Sequence, residues 1–359
     1  MEEVNIQRDV LTHFTLQGEV IGVERYGAGH INHTYLVTTT ERRYVLQQMN
    51  RRVFPNIEVL MSNIRYVTEY LASRGQKTLT LVYTNRGDSH LECEDSAWRI
   101  YEFVEGAVTY QSVEDAEIFR NAAYAFGEFQ NALAGFDASL LVDVIPHFHD
   151  TPRRFVAFEK ALAADSVDRA KTCQAEIAFY LDQKERISLV VEGLADGSLP
   201  LRVTHNDTKL NNILMDPVTK QALAVVDLDT VMAGSLLYDF GDSIRFGAST
   251  AAEDERDLSL VHFDIDLYRA YTEGYLAAVK DSIVPREVQL LWYGAYLMTT
   301  ECGMRFLTDY LSGDTYFGAK YPEHNLVRAR TQMRLASEMW AQQDAMLAIA
   351  QSIYHKEHV

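Results

Sequence analysis

The sequence predicts an α+β chain in two lobes: a small N-terminal lobe of antiparallel sheet plus one helix over 1–104, and a larger, mainly helical C-terminal lobe over 105–359. Three observations carry this. Short strand-like runs divided by turn residues fill the first part of the chain, and helical apolar spacing dominates the second. A single strand–turn–strand island, Val203 to Asp229, interrupts the helices. At 359 residues the chain is long enough for each lobe to hold a core of its own.

With 51 acidic against 33 basic residues the net charge is −18, a surface that repels nucleic-acid backbones and anionic membranes, so neither is expected as a partner. Met1 to Asn5 shows no basic segment leading into an apolar run, and no apolar run reaches the roughly 20 residues a membrane helix needs. A cytoplasmic location is expected. Cys93, Cys173 and Cys302 are far apart and odd in number, which suits small core fillers in a reducing compartment better than a disulfide framework or a zinc site.

In chain order, Glu19 to Tyr26, Ile31 to Thr38 and Tyr44 to Met49 read as a β-meander. Gly27-Ala28-Gly29-His30 turns the first pair, either as an ordinary hairpin turn or as a backbone cover over phosphates. Pro55 to Arg74 is an amphipathic helix, with Ile57, Leu60, Met61, Ile64, Val67 and Leu71 at helical spacing and Gly75 as its stop. Strands Leu79 to Tyr83 and Ala97 to Val104 follow, and the lobe boundary falls near 102–108. Ala116 to Phe136 is helical, Leu141 to Arg154 a loop, and Ala157 to Ala164 and Gln174 to Leu194 are helices. His147 and His149 in that loop lack the further ligands zinc demands and read as structural. Residues 260–280, 286–311 and 323–354 are long helices.

The island carries the chemistry. His205-Asn206-Asp207-Thr208-Lys209-Leu210-Asn211-Asn212 opens one apolar strand, and the next ends in Asp227-Leu228-Asp229. A tight loop between two strands brings Asp207, Asn212 and Asp227 to one mouth. Phosphoryl transfer to an alcohol needs that set: a carboxylate to position the hydroxyl and take its proton, and an amide oxygen with a second carboxylate to hold magnesium against nucleotide phosphates. His205 is expected to bond the loop backbone, and Lys209 either meets the transferring phosphoryl group or is solvated. Asp239-Phe240-Gly241 copies the metal-binding triplet of protein kinases but lies beyond the complete strand pair. Asp239 is therefore expected to be a buried carboxylate at a helix start, propping the loop.

His205-x-Asp207-x-x-x-x-Asn212 with the downstream Asp-x-Asp resembles the aminoglycoside phosphotransferase and choline kinase superfamily, which has a protein-kinase-like fold. Tyr26 to Tyr35, Tyr44 to Asn50, His147 to Phe155, Val203 to Gly247, Glu301 to Leu307 and Lys320 to Arg328 look like the N-acetylhexosamine 1-kinases, a likeness over nearly the whole chain. The resemblance implies ATP and Mg2+ as cofactors, a small sugar as substrate, and transfer to the anomeric 1-hydroxyl of N-acetylglucosamine or N-acetylgalactosamine. It implies Asp207 as base, Asn212 and Asp227 as magnesium ligands, and Asp229 as a second-metal or supporting carboxylate. Residues 102–104, with Glu102 and Val104, would bond the adenine edge, and Gly27, Gly29 and Lys209 would approach phosphates. The superfamily usually ends its third strand in Lys or Arg; here that slot falls on Gln47, or on Gln48 one residue on, so another cation must compensate or magnesium bears more of the load, and the helix acid, Glu58 or Glu69, has no basic partner at Gln47.

For the acceptor, Glu301 and Arg305 share a helix face, with Tyr316 in the loop beyond, and His30 and Asn32 are further candidates. The alternatives are a surface ion pair and a core tyrosine. An amino-alcohol or aminoglycoside acceptor is a competing reading, because Glu301, Asp309, Asp314 and Glu323 offer carboxylates to a cation. A non-catalytic kinase-like binding module is a third, and either a monomer or a homodimer is compatible with the sequence.

Overall fold

The computed structural model describes residues 6–27, 31–93 and 96–357. The first lobe is an antiparallel sheet of β1 (Val20–Arg25), β2 (His33–Thr39), β3 (Arg43–Met49), β4 (Leu81–Val82), β5 (Leu91–Cys93) and β6 (Ser96–Glu102), with order β1-β2-β3-β6-β4 and β5 paired to β6. Register sets the site: Gln47 of β3 lies opposite Arg99 of β6, and Tyr44 opposite Glu102. Helix α1 (Ile57–Ser73) starts where the Asn56 side chain accepts from Val59 N–H, and Gly75 at φ +71 ends its run. All six spaced apolar residues named from the sequence are buried. Each such side chain contributes about 1.5–3 kcal/mol of burial.

That face does not pack into a core private to the first lobe. It shares a cluster with Val203, Leu228, Val231 and Met232 of the later chain, so α1 seats directly on the strand–turn–strand island. Beyond the sheet, Val108 exchanges two backbone bonds with Met215, at 2.9 Å each, and ties the connecting segment to the island.

The rest is mainly helical: α2 (Ala116–Ala132), α3 (Thr151–Ala164), α4 (Gln174–Asp182), α5 (Leu189–Asp196), then β7 (Arg202–Thr204), β8 (Ile213–Met215), β9 (Ala222–Val225), β10 (Met232–Gly234), and α6 (Leu236–Gly247), α7 (Ile265–Val279), α8 (Pro285–Leu311), α9 (His324–Ala341) and α10 (Gln343–Glu357). Three expectations shift. The helix expected from Ala157 starts at Thr151, because Asp150 caps Arg153 N–H and Pro152 suits a first turn. Gln174 to Leu194 is two helices split by a short 3-10 turn, and 323–354 is two helices that break after Ala341. Strand β5 adds a short edge element beside β6 that alternation did not flag. Helices α6 and α8 approach closely at Gly241 and Gly294; a Cβ on Gly241 would lie 2.2 Å from the Gly294 carbonyl oxygen.

Candidate active site

The loop after β7 hangs from the first turns of α6. Ser235 caps that helix, and Asp239 in its first turn accepts from His205 N–H at 2.9 Å, Asn206 N–H at 2.7 Å and Gln130 Nε2 at 2.6 Å. Burial pushes the Asp239 carboxyl upward against the pull of these donors. One turn on, Asp242 accepts from Thr208 N–H at 3.0 Å, and Ser243 Oγ donates to the Thr208 carbonyl at 2.8 Å. Asn206 takes φ +65, a conformation asparagine tolerates. His205 is fully buried against Phe126 and Phe129. One neutral tautomer satisfies the ring, with Nε2 donating to the Val226 carbonyl (2.9 Å) and Nδ1 accepting Asp207 N–H (3.3 Å). The lookalike triplet is thus a pillar under the loop.

On this support stand the three side chains read from the sequence. Asn212 Nδ2 donates to the Asp207 carbonyl (2.8 Å) and to Asp207 Oδ2 (3.1 Å), which turns the amide oxygen the other way. Val226 N–H donates to the Asn212 carbonyl at 2.9 Å, so Asp227 follows directly across the strand pair, at φ +60. Lys209 Nζ pairs with Asp207 Oδ1 at 2.8 Å; burial opposes its charge, but Asp207 and Asp242 hold the ammonium above its usual range. Asp227 is open to the cleft yet ringed by protein, and its carboxyl is pushed up to about 7, first by that enclosure and then by the charges of Asp229 and Asp207. An unbalanced carboxylate cluster of this kind favours a cation.

Among the described residues, no three His, Cys, Asp or Glu side chains converge to hold a metal by themselves. The donor set does fit magnesium shared with a nucleotide, which takes one or two protein carboxylates and draws its remaining oxygens from phosphate and water. Asp227 and the Asn212 amide oxygen are the residues that would hold it. Asp229 is differently employed. It is 3% exposed, its Oδ2 accepts from Asn32 Nδ2 at 2.7 Å, and its Oδ1 lies 2.5 Å from Arg99 Nη1. A metal would have to displace one of these partners.

A model of the phosphotransferase enzyme family (APH) matches residues 22–276 of the chain. The chain belongs to this family. Solved structures share the fold at low identity: a microcompartment-associated aminopropanol kinase (15% identity, 96% of this chain and 98% of that one, TM-score 0.60), choline kinase from Cryptosporidium parvum (13%, 93% and 93%, TM-score 0.56), and spectinomycin phosphotransferase in complex with ADP and spectinomycin (13%, 90% and 92%, TM-score 0.54).

In this phosphotransferase a buried cation, Arg99, lies across from Gln47. Arg99 is 1% exposed and gives both Nε (2.9 Å) and Nη2 (2.8 Å) to Gln47 Oε1, while Gln47 Nε2 donates to Thr34 Oγ1 at 3.2 Å. Both polar atoms of the Gln47 amide are therefore engaged within the sheet. Burial opposes the guanidinium's charge, but Asp229 outweighs it and holds Arg99 above its usual range. The signal for Arg99 was present, an arginine inside an otherwise buried strand, but its partner is remote in sequence. Gly27 adopts φ +72, whereas Gly29 and His30 lie outside the described residues. Glu102 N–H is spent on the Thr80 carbonyl and Phe103 N–H on the Arg43 carbonyl; the Glu102 side chain pairs with Arg42 at 2.8 Å. Among the described residues Val104 N–H has no backbone partner, as an adenine edge would require.

The acceptor candidates divide. Glu301 is 0% exposed and accepts from Thr151 Oγ1 (2.5 Å) and pairs with His149 Nδ1 (2.8 Å), so it does not reach a substrate as the sequence suggested; the shared helix face points it into the core. The His149 partnership could not be read from spacing. The Arg305 guanidinium makes no hydrogen bond to another described residue and lies over the rings of Phe148 (5.3 Å), Tyr316 (5.8 Å) and Phe317 (5.4 Å). Tyr316 is 64% exposed, not a core residue. Burial, then the charge of Arg305, pushes Arg154 down, so two cations share this corner. One concavity, about 660 Å³, runs along α2 and β9 past Lys77 and Tyr124 and is lined by none of the candidate residues. A second, about 430 Å³, is lined by Arg245 and Phe246, beside the Asp242 that holds the loop.

Proposed function

We propose that this phosphotransferase uses ATP and magnesium to phosphorylate the anomeric 1-hydroxyl of N-acetylhexosamines, N-acetylglucosamine and N-acetylgalactosamine, giving the sugar 1-phosphate and ADP. The observation that carries the reaction type is the loop on which Asp207, Lys209 and Asn212 contact one another beside Asp227. Asp207 orients the sugar hydroxyl and accepts its proton as the phosphorus–oxygen bond forms. Lys209, already paired with Asp207, is within reach of the same reacting group and offsets charge gathering there. Bound magnesium supplies neutralisation of the nucleotide phosphates, held by Asp227 and the Asn212 amide oxygen. Residues 102–108 are the proposed hinge between a nucleotide lobe over 1–104 and a catalytic lobe over 105–359, with the Glu102 carbonyl and the Val104 N–H offered to adenine and the Gly27 turn covering phosphates.

The choice of a neutral sugar over a polycation has its own support. Of the four acids that could greet a cationic acceptor, only Glu323 is exposed, and three are employed: Glu301 is spent on His149 and Thr151, and Asp309 accepts the N–H groups of Thr315, Tyr316 and Phe317. Asp314 pairs with Arg169 at 2.6 Å. Arg305 and the exposed Tyr316 ring instead offer donors and a stacking face, which suit a pyranose bearing an amide. Phosphate transfer to N-acetylglucosamine, N-acetylgalactosamine, choline and kanamycin, measured side by side with and without magnesium and with phosphorus NMR of the product, tests this. A magnesium-dependent sugar 1-phosphate is expected. Turnover of choline or kanamycin in its place would move the assignment to another alcohol, and ATP binding without any turnover would leave a binding module.

A further inference from the structure

The loop that carries Asp227 is held from the other lobe, and the holding passes through one buried guanidinium. Arg99, in the middle of β6, has a single carboxylate within ion-pair distance among the described residues, Asp229 at 2.5 Å, and that acid belongs to the far side of the cleft. The sheet-facing side of α1 offers Arg99 only a sulfur, Met61 Sδ at 4.0 Å. The helix acids point elsewhere, Glu58 toward His90 at 3.9 Å and Glu69 toward the Tyr83 hydroxyl at 3.3 Å. Gln47 fixes the guanidinium from the adjoining strand with a two-pronged bond, which explains why an uncharged residue stands there: a lysine would press a second cation against Arg99. Two further side chains of the first lobe grip the same segment. Asn32 donates to Asp229 Oδ2 at 2.7 Å, and Asn63 donates to the Val231 carbonyl at 3.0 Å.

We infer that Arg99 is a positioning residue: through Asp229 it locks the turn from Asp227 to Val231 against the first lobe, so that docking of the sheet and orientation of the Asp227 carboxylate are one event. The turn needs such a hold. Asp227 sits at φ +60, a backbone state with an intrinsic cost for a non-glycine residue, and it persists only where surrounding contacts fix it. The Arg99–Asp229 pair supplies the fixing charge where water cannot compete, since Arg99 is 1% and Asp229 3% exposed. Removing either partner alone strands a buried charge; removing both removes that penalty but also the latch. The functional half of this inference rests on the kinase reading above, while the structural half does not.

The test uses the full chain with Arg99→Met, Asp229→Asn and the double variant, comparing steady-state kinetics with hydrogen–deuterium exchange. In each single variant, exchange across residues 227–231 is expected to rise about tenfold or more while α7 and α8 keep their protection. Turnover is expected to fall about tenfold or more with the acceptor KM within about threefold, because a misplaced carboxylate slows the step and not acceptor binding. The double variant should regain thermal stability lost in Arg99→Met yet remain slow. Unchanged exchange at 227–231, or wild-type turnover in the double variant, overturns the inference. Should Arg99→Met fail to fold, Arg99→Lys, which keeps the charge but loses the fork on Gln47, carries the same comparison. A wild-type protein that phosphorylates no acceptor would defeat the kinase reading and leave the exchange result to decide the latch.

Discussion

The two walls of the cleft are held by different means. Below, the Asp207 loop is pinned by many short bonds from one neighbouring helix: Asp239 takes the N–H groups of His205 and Asn206, Asp242 that of Thr208, and Ser243 the Thr208 carbonyl. Above, the turn after Asp227 is held from the first lobe by few polar bonds, Arg99 and Asn32 on Asp229 and Asn63 on Val231, laid over the apolar cluster that α1 shares with the later chain. A wall built from redundant backbone bonds is rigid whether or not a substrate is present. A wall whose polar bonds are few and long-range depends on each of them. The Asp207 loop is mounted on the first kind, and Asp227, the carboxylate proposed to hold magnesium, lies where the two meet.

The largest expected effect breaks the lower wall. Asp239→Ala strands three buried donors, each costing about 1–3 kcal/mol when unsatisfied, so both urea stability and turnover should collapse. If stability barely moves, the pillar is not what holds the loop. Asp207→Asn should separate chemistry from architecture: turnover down by about 10²–10⁴-fold, with ATP affinity from calorimetry within about threefold. Matching losses of ATP binding and of fold would argue against its role as base.

Gly241→Ala probes the scaffold beneath the pillar. The added Cβ meets the Gly294 carbonyl oxygen at 2.2 Å, so about 1–3 kcal/mol of stability should go, read by denaturant melts, with the site weakened only through α6. The smallest effect sharpens the acceptor side. Tyr316→Phe, at an exposed ring, should leave stability within about 0.5 kcal/mol and change only the acceptor KM. A change in ATP KM instead would move Tyr316 out of the acceptor corner.

The same contrast explains what could be read in advance. The sheet, α1 with its buried stripe, the long helices and the Asp207–Asn212–Asp227 set rest on local periodicity and on a loop between adjacent strands, and they were legible. Asp239 as a prop was legible because it opens a helix just after that loop. Arg99 opposite Gln47 was not, since pairing β3 with β6 requires knowing the sheet order, and Asp229 is more distant still. Glu301 was misjudged for a related reason: helical spacing puts it on a face with Arg305 but says nothing of His149 and Thr151 waiting on another helix and loop. The break after Ala341 went unseen because apolar spacing continues through it.

A crystal structure with magnesium, a non-hydrolysable ATP analogue and N-acetylglucosamine tests the central claim most directly. The account predicts a magnesium ion about 2.0–2.1 Å from the Asn212 amide oxygen and an Asp227 carboxylate oxygen, and the sugar 1-hydroxyl within hydrogen-bond reach of Asp207. A magnesium bound at Asp239, or a sugar seated with its 1-hydroxyl away from Asp207, would contradict it.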